Sequence, residues 1–453
     1  MYPIPSGRET WLFDAAATDP AEDFLPKRKR CYRQDRWKGG FAMSSEKTDH
    51  ILTTHAGSLP RTPELLAANA AKENNPEDVA GFSELLSNAV VGVVQAQRDA
   101  GIDIPNDGEY GHTMSSSVDY GAWWNYSFAR LGGLEETTVD RWAETEVKRS
   151  SPGNVVLTSF PDRRDRQRFA EAYSDPTSGI LAHRKSTTQP KVVAPLTYTG
   201  HELVASDINN LKAAMEQTGT EQGFLAALSP ASCARLANDF YTNDEEYLYA
   251  AADAMREEYK AILDAGLTLQ IDDPSLAESW DQINPEPSLE DYLKFIQLRV
   301  EATNYALRDL PAEKIRLHVC WGSWHGPHTT DIGFADILDS VLSINANMIS
   351  FEAGNVRHEH EWRIWETRQL PEGKILIPGV VSHATNVVEH PELVADRIER
   401  FANLVGRENV IASTDCGLGG RVHPQIANAK LEALGEGARI ATNRLFSRSA
   451  TRV

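Results

Sequence analysis

From about residue 190 onward, short apolar runs rich in β-branched residues alternate with amphipathic helical stretches. The stretch from Asp244 to Ala265 has acidic residues in its first turn and ends at Gly266, and residues 267–271 then form an apolar run typical of a buried strand. Similar apolar runs recur at 315–320, 348–351, 375–377 and 410–412. This alternation predicts a parallel α/β fold.

Polar side chains stand at the carboxyl end of nearly every predicted strand. They are Asp272, His318, Cys320, Glu352, His383, Asp415 and Cys416. In a (βα)8 barrel these ends form the active-site face, whereas a doubly wound open sheet gathers its ligands around one switch point. The pattern therefore favours a single (βα)8 TIM barrel, which we place at residues 43–453.

Two earlier runs predict the first strands of this barrel. Residues 51–54 precede a turn at Gly57 and Ser58, and residues 101–105 precede Glu109.

Two segments do not follow the repeating pattern. Residues 1–42 mix Pro, Gly and aromatics with a basic cluster at 27–30, and we interpret them as an N-terminal extension. Residues 113–190 are too long for a plain connection, which predicts an excursion over the barrel mouth. Four aromatic residues of this segment are available for packing or for lining a pocket, and packing is the commoner role. They are Trp123, Trp124, Tyr126 and Phe128.

Composition narrows the class of partner. The net charge of −20 argues against nucleic acid, and no apolar run is long enough to predict a membrane span. The four cysteines are too few and too scattered for a secreted disulfide framework, and there is no secretory signal pattern, which together favour a cytoplasmic location. The expected partner is a small-molecule substrate. A large acidic barrel with an N-terminal arm also suggests a homo-oligomer.

Four of the strand-end residues have the chemistry of metal ligands. His318 and Cys320 are two apart, so on a strand their side chains point to the same face. With Glu352 and Cys416 they offer imidazole, carboxylate and two thiolates, which suit a borderline-soft ion such as Zn²⁺. A strand cysteine taken alone is more often a small core residue. The set of four favours a zinc site.

Six ordered motifs between residue 51 and the C-terminus resemble those of the cobalamin-independent methionine synthases and their short zinc-dependent alkyltransferase relatives, which include epoxyalkane:coenzyme M transferases. The motifs are Thr-Thr-His-Ala-Gly-Ser-Leu-Pro-Arg (53–61), Asp-Gly-Glu-Tyr-Gly (107–111), Gln-Ile-Asp-Asp-Pro (270–274), His-Val-Cys (318–320), Ser-Phe-Glu-Ala (350–353) and Thr-Asp-Cys-Gly (414–417).

This resemblance implies a zinc ion held by His318, Cys320, Glu352 and Cys416. It also implies that the zinc binds a substrate thiol as thiolate, whose sulfur attacks an alkyl group.

Further roles are implied by the same resemblance. The turn at Gly57 and Ser58 would bind a substrate carboxylate, and Glu109 and Asp272 would face its amino group. His383 would be the proton donor. These residues also have a simpler structural interpretation, because an aspartate at a strand exit, such as Asp272, often caps the next helix or bonds loop amides. Trp321, directly after the metal strand, is a further candidate for substrate binding, and Asp415 for orienting a ligand.

The sequence also departs from full-length methionine synthases. His201 stands where the folate-stacking Trp of that family is expected, which argues against folate as the methyl donor. Residues 321–328, Trp-Gly-Ser-Trp-His-Gly-Pro-His, add aromatic and imidazole groups near the metal strand, so a bulkier substrate is compatible with the site.

Two enzyme classes follow. The first is a zinc-dependent alkyl or methyl transferase that activates a thiol. The alternative is a zinc-dependent lyase that cleaves a C–C or C–S bond of a hydroxylated small molecule, aromatic ones included. A non-enzymatic zinc scaffold is disfavoured, because structural zinc ligands are usually compact in sequence.

Overall fold

A computed structural model describes residues 49–75, 80–115, 125–126, 129–135, 147–180 and 190–447. The interpreted extension at 1–42 lies outside these residues, as do Trp123, Trp124 and Phe128. None of the helices within these ranges combines the length and the apolar character needed to cross a membrane.

The described strands are β1 (Leu52–Thr53), β2 (Leu131–Glu135), β3 (Lys191–Tyr198), β4 (Phe224–Leu228), β5 (Ala237–Asn238), β6 (Thr268–Asp272), β7 (Ile315–Val319), β8 (Met348–Glu352), β9 (Ile375–Val381) and β10 (Ile411–Thr414). The described α-helices are α1 (Pro63–Asn74), α2 (Phe82–Asp99), α3 (Arg164–Arg168), α4 (Ala170–Ser174), α5 (His201–Thr218), α6 (Pro230–Cys233), α7 (Asp244–Asp264), α8 (Leu289–Ala306), α9 (Phe334–Leu342), α10 (Pro391–Val405) and α11 (Pro424–Ser447).

Seven strands form one parallel sheet in the order β1-β10-β9-β8-β7-β6-β4. Every residue of β7 and β8 is buried, as expected for strands covered on both faces. Because all seven strands run the same way, their carboxyl ends share one edge of the sheet. The predicted parallel α/β fold is confirmed.

The two outer strands of this sheet approach the same short segment. The amide of Ile104 donates to the Thr53 carbonyl at 3.0 Å on one side, and the amide of Phe224 donates to the Pro105 carbonyl at 3.1 Å on the other. The sheet is therefore curled. The sequence predicts a regular strand at 101–105, but these residues are not assigned to one; Pro105 has no amide hydrogen to continue a ladder.

The described part of the predicted excursion contributes a separate small sheet. In it β2 pairs antiparallel with β3, and β3 pairs parallel with β5. Helices α3 and α4 follow β2 along the chain. Of the four aromatic residues predicted to pack or to line a pocket, Tyr126 lies within the described residues; it is buried, and Arg130 lies 4.3 Å from its ring. Packing accounts for this aromatic side chain.

Local sequence signals explain where the long helices begin and end. The side chain of Asn243 caps α7 by accepting from the amide of Glu246 at 2.9 Å, and acidic residues fill the first turn. Gly266 follows the helix at φ +87°, a conformation that favours glycine. The predicted helix from Asp244 to Ala265 is confirmed to within one residue.

Candidate metal centre and active site

Three of the four predicted metal ligands converge at the carboxyl edge of the sheet. A ring nitrogen of His318 and the sulfur atoms of Cys320 and Cys416 all lie within 4.8 Å of one another. The two sulfurs are 3.7 Å apart and are not joined by a disulfide. Interaction with Cys320 lowers the pKa of Cys416 well below its usual value, and the same contact raises that of Cys320. Of the two thiols, Cys416 is thus the more acidic.

His318 is oriented with one nitrogen toward this group. Its Nδ1 lies 3.1 Å from the Ser350 hydroxyl, which stands directly across from it in the β7–β8 register. Nε2 is buried and has no hydrogen-bond partner among the described residues. A buried nitrogen without a partner is costly, and a metal ion would satisfy it. The donor set of imidazole and thiols therefore fits zinc.

Glu352, the fourth predicted ligand, lies at the end of β8 beside this group. Its carboxylate accepts from the amide of Trp321 at 3.0 Å and from Asn355 Nδ2 at 2.6 Å. It also lies within 4.8 Å of ligand atoms of His383 and Asp415. The structure thus places Glu352 at the same strand edge, grouped with His383 and Asp415, while its charge contributes to the raised pKa of Cys320.

Asp415 is surrounded by hydrogen-bond donors of the protein. Its Oδ1 accepts from the amides of Ala353 and Gly354, both at 2.8 Å, and its Oδ2 accepts from Asn355 Nδ2 at 3.1 Å. These bonds tie the residue beside Cys416 to the loop that follows Glu352. They leave Asp415 better suited to orient its neighbours than to bind a ligand.

Two carboxyls with little exposed surface stand next to the metal group, which is formed by His318, Cys320 and Cys416. Asp272, at the end of β6, accepts from Gln270 Nε2 at 2.7 Å, and burial raises its pKa to about 6. Burial, and next the charge of Asp272, raise the pKa of Glu109 well above its usual value. Two neighbouring carboxyls in a site of low polarity favour a cationic guest that neutralises them.

The turn at Gly57 and Ser58 lies against this pair. The Ser58 carbonyl accepts from the amides of Leu418 and Gly419, both at 2.8 Å, and its hydroxyl accepts from Arg61 at 2.8 Å. Within the described ranges, no residue accepts a hydrogen bond from the Ser58 amide. That amide is therefore available to an anionic group of a ligand.

Because Gly57 has no side chain, the carboxylate of Glu109 can lie directly against its backbone. Its φ is +132°, and a Cβ atom there would lie 2.2 Å from Glu109 Oε1. We expect Gly57→Ala to displace this carboxylate and to cost about 1–3 kcal/mol of stability. Thermal unfolding and the KM for an amino-thiol substrate would measure both effects. Gly373→Ala, at φ +79° with no atom within 4 Å of its Cβ, is the control for strain alone; equal effects of the two variants would contradict the clash.

His383 follows β9 and is buried, with only 2% of its surface exposed. Its Nδ1 has no hydrogen-bond partner among the described residues. Burial lowers its pKa, so the ring is held neutral. A lone histidine in a loop is usually solvated, but the burial of His383 excludes that description here.

Trp321 is 1% exposed and packs within the core. Its indole N–H donates to the Ile332 carbonyl at 2.7 Å, and its ring lies 4.2 Å from that of His358. Its backbone amide, by contrast, holds Glu352. The side chain thus packs under the site instead of facing an open cavity.

Ser350 and Asn355 contact the site but are not among the residues predicted from the sequence. Ser350 was detectable from alternation, because it lies two residues before Glu352 and so shares its face of β8. Asn355 carried no such signal, since its contacts with Glu352 and Asp415 depend on the path of a loop.

The curled parallel sheet and its edge of polar side chains define an α/β protein whose candidate site lies at the carboxyl ends of the strands. Residues 155–439 match the family described as cobalamin-independent synthase, catalytic domain. This match covers more than half of the chain, so the chain belongs to that family. The resemblance read from the six motifs is confirmed.

Relatives extend over most of the chain. The methionine synthase of Thermococcus kodakarensis is 23% identical over 403 residues, covering 88% of this chain and 96% of the relative. The 2-hydroxypropyl-CoM lyase of Xanthobacter autotrophicus is 24% identical over 424 residues, covering 86% of this chain and 94% of the relative.

A solved structure shows a similar fold. It is the B12-independent methionine synthase from Shewanella sp. W3-18-1 in complex with selenomethionine, with a TM-score of 0.61 and 22% identity, covering 88% of this chain and 99% of that one.

Proposed function

We propose that this chain is a zinc-dependent alkyl or methyl transferase that uses a substrate thiol as its nucleophile. The observation that carries the proposal is the convergence of His318, Cys320 and Cys416, with the Nε2 of His318 buried and unpartnered. Family membership supports the proposal, because relatives bear the name methionine synthase and the synthesis of methionine from homocysteine is a methyl transfer to a thiol.

Zinc is the ion that these residues suit, with His318, Cys320, Cys416 and Glu352 as its ligands. When bound there, zinc would lower the pKa of a substrate thiol and so supply a potent nucleophile at neutral pH. Glu352 would complete the ligand set with its carboxylate, which accepts hydrogen bonds from the Trp321 amide and from Asn355. We assign Trp321 the role of positioning Glu352 through its backbone.

The same proposal includes a closed (βα)8 barrel. The segment 102–106 forms hydrogen bonds with β1 and β4, the two outer strands. It would take the place of the eighth strand and so close the sheet into a barrel. A closed barrel would bring all strand ends around one mouth. That arrangement explains how residues from seven different strands or strand ends reach a single site.

The chain's own residues would orient the thiol substrate. Glu109 and Asp272 would accept hydrogen bonds from an ammonium group, which relieves their mutual repulsion. The free amide of Ser58 would donate to a carboxylate. An amino-acid thiol such as homocysteine satisfies both requirements, with its sulfur directed to the metal group.

His383 would supply the proton for the leaving group. In the transfer, a sulfur–carbon bond forms as the bond from carbon to the leaving group breaks, and the electron pair departs with the leaving group. The proton lost by the thiol is then returned to the leaving group by the imidazole. A buried, neutral imidazole beside the metal group is suited to this exchange.

His383→Gln tests this assignment with two electrophiles. With homocysteine and 1,2-epoxypropane, whose departing oxygen needs a proton, we expect the rate to fall roughly 100- to 10,000-fold. With iodomethane, whose iodide needs none, the rate should change far less. Steady-state alkylation rates measure both, and the exposed His360→Gln is the matched control. Equal losses with both electrophiles would argue that His383 has only a structural role.

A zinc-dependent lyase is the second candidate, because one relative bears the name 2-hydroxypropyl-CoM lyase. The two candidates differ in their need for a thiol cosubstrate. Incubation with iodomethane and either homocysteine or coenzyme M, followed by mass spectrometry, detects the thioether that a transferase forms. Absence of enzyme-dependent thioether with both thiols would favour the lyase.

A further inference from the structure

Gln270 lies on β6, two positions before the Asp272 carboxyl that ends this strand. The spacing of two means that both side chains point to the same face of the sheet. Gln270 has no exposed surface, whereas 8% of Asp272 is exposed. Gln270 is therefore out of reach of a substrate, and any effect that it has on binding passes through its neighbours.

The amide group of Gln270 joins two parts of the candidate site. Its Nε2 donates to the Ala56 carbonyl at 2.8 Å and to the Oδ1 of Asp272 at 2.7 Å. Both hydrogens of this nitrogen are thus used. The two contacts also fix the orientation of the amide, because a rotated amide would present its oxygen to two other oxygens. Gln270 thereby connects the turn that carries Gly57 and Ser58 with a carboxyl on the other side of the site.

A second pair of side chains fixes the turn itself. The Nδ1 of His55 accepts from the Gly57 amide at 3.2 Å, and its Nε2 donates to Gln97 Oε1 at 2.7 Å. Burial lowers the pKa of His55 to about 3, so the ring is neutral and has one nitrogen for each of these roles. Gln97 Nε2 donates in turn to the Asn106 carbonyl at 2.8 Å. The turn is thus held against the segment that carries Glu109.

Three groups of the site are therefore held in one arrangement. His55 and Gln97 tie the turn to the segment of Glu109, and Gln270 ties the turn to Asp272. In an α-amino acid the ammonium and the carboxylate are attached to the same carbon, so the groups that bind them must lie at one particular spacing. A thiol that lacks both charged groups has no such requirement.

We propose that Gln270 is a positioning residue that sets the spacing between the Ser58 amide and Asp272, and so selects thiols that are α-amino acids. The inference rests on the proposed function, which assigns the amide to the carboxylate of the substrate and Asp272 to its ammonium group. Gln270→Met removes both donated hydrogen bonds and keeps a side chain of similar length. Without these bonds, Asp272 and the turn are no longer held at the distance that an α-amino acid requires.

Isothermal titration calorimetry of the zinc-loaded protein with homocysteine and with 2-mercaptoethanol tests this role. The second compound has the thiol but neither charged group. We expect Gln270→Met to bind homocysteine about 10- to 100-fold more weakly than wild type, because the lost hydrogen bonds include one to a carboxylate. The affinity for 2-mercaptoethanol should stay at that of wild type. The matched control is Gln95→Met, which removes an exposed amide that donates to Asp99 at 2.8 Å and should change neither affinity.

Three results overturn the role of Gln270. They are equal losses of affinity for the two thiols, unchanged homocysteine binding in Gln270→Met, and a wild type that binds homocysteine no more tightly than 2-mercaptoethanol. Should Gln270→Met fail to fold, Gln270→Asn decides, because its shorter side chain cannot reach both Ala56 and Asp272; undiminished homocysteine affinity there contradicts the proposal. Thioether formation tests the transferase separately. A protein that binds homocysteine selectively but forms no thioether would lose that function and keep the assignment of Gln270.

Discussion

Cys416→Ser is expected to lose both the zinc ion and the alkylation of homocysteine by iodomethane. A serine hydroxyl is a far poorer zinc ligand than a thiolate, and Cys416 is the cysteine whose pKa is lowered well below its usual value. A metal ion of this kind contributes several kcal/mol to catalysis, which corresponds to a rate loss of about a thousandfold. Metal analysis by plasma mass spectrometry and initial rates measure the two losses.

The control for this variant is Cys233→Ser. Cys233 is a buried cysteine that forms no disulfide, and it lies in α6 within the apolar core, outside the metal group. Its replacement should leave the zinc content at that of wild type, whatever it does to stability. Full zinc content in Cys416→Ser, or equal zinc loss in both variants, would contradict the proposed ligand set.

Lys430→Met is expected to cost about 3–5 kcal/mol of stability. The ammonium group of Lys430 is fully buried in α11 and donates to Glu389 at 2.9 Å and to the Val387 carbonyl at 2.6 Å. Glu389 also accepts from the amide of Ser382, next to His383. Removing the ammonium leaves a buried carboxylate without its cation, so both the stability and the placement of His383 should suffer.

Urea unfolding followed by circular dichroism measures the change in the free energy of unfolding. Lys294→Met is the matched control, because it breaks an ion pair with Glu290 that is largely exposed and should cost no more than about 1 kcal/mol. The double variant Lys430→Met, Glu389→Leu should recover much of the loss, since it removes both charges. Equal urea unfolding midpoints for Lys430→Met and Lys294→Met would show that the buried ion pair stabilises the protein no more than the exposed one does.

The strands β6 to β10 were predictable because each is a compact apolar run that ends in a polar residue. Alternation placed His318 and Cys320 on one face, and the parallel order of strands placed Cys416 at the same edge. The convergence of these three side chains follows from local patterns combined with one topological rule.

Other features depend on contacts that local patterns do not encode. Trp321 follows the metal strand in sequence, yet its side chain turns into the core because Ile332 and His358 lie beneath it. The segment 101–105 bonds to two strands that are distant in sequence, and its proline keeps it from forming a regular ladder. Long-range packing decides both cases, so a single sequence gives little information about them.

The departure at His201 also remains informative. Its side chain is 63% exposed at the start of α5 and lies 2.8 Å from Glu257. The prediction that this chain does not use folate stays a prediction.

The most direct test of the central claim is zinc K-edge absorption on the purified protein, with and without homocysteine. We expect about one zinc per chain, coordinated by two sulfurs together with nitrogen and oxygen, and one additional sulfur ligand when the thiol is present. A zinc site whose spectrum is indifferent to homocysteine and to coenzyme M would contradict thiol activation. A protein that binds no zinc would contradict the metal centre itself.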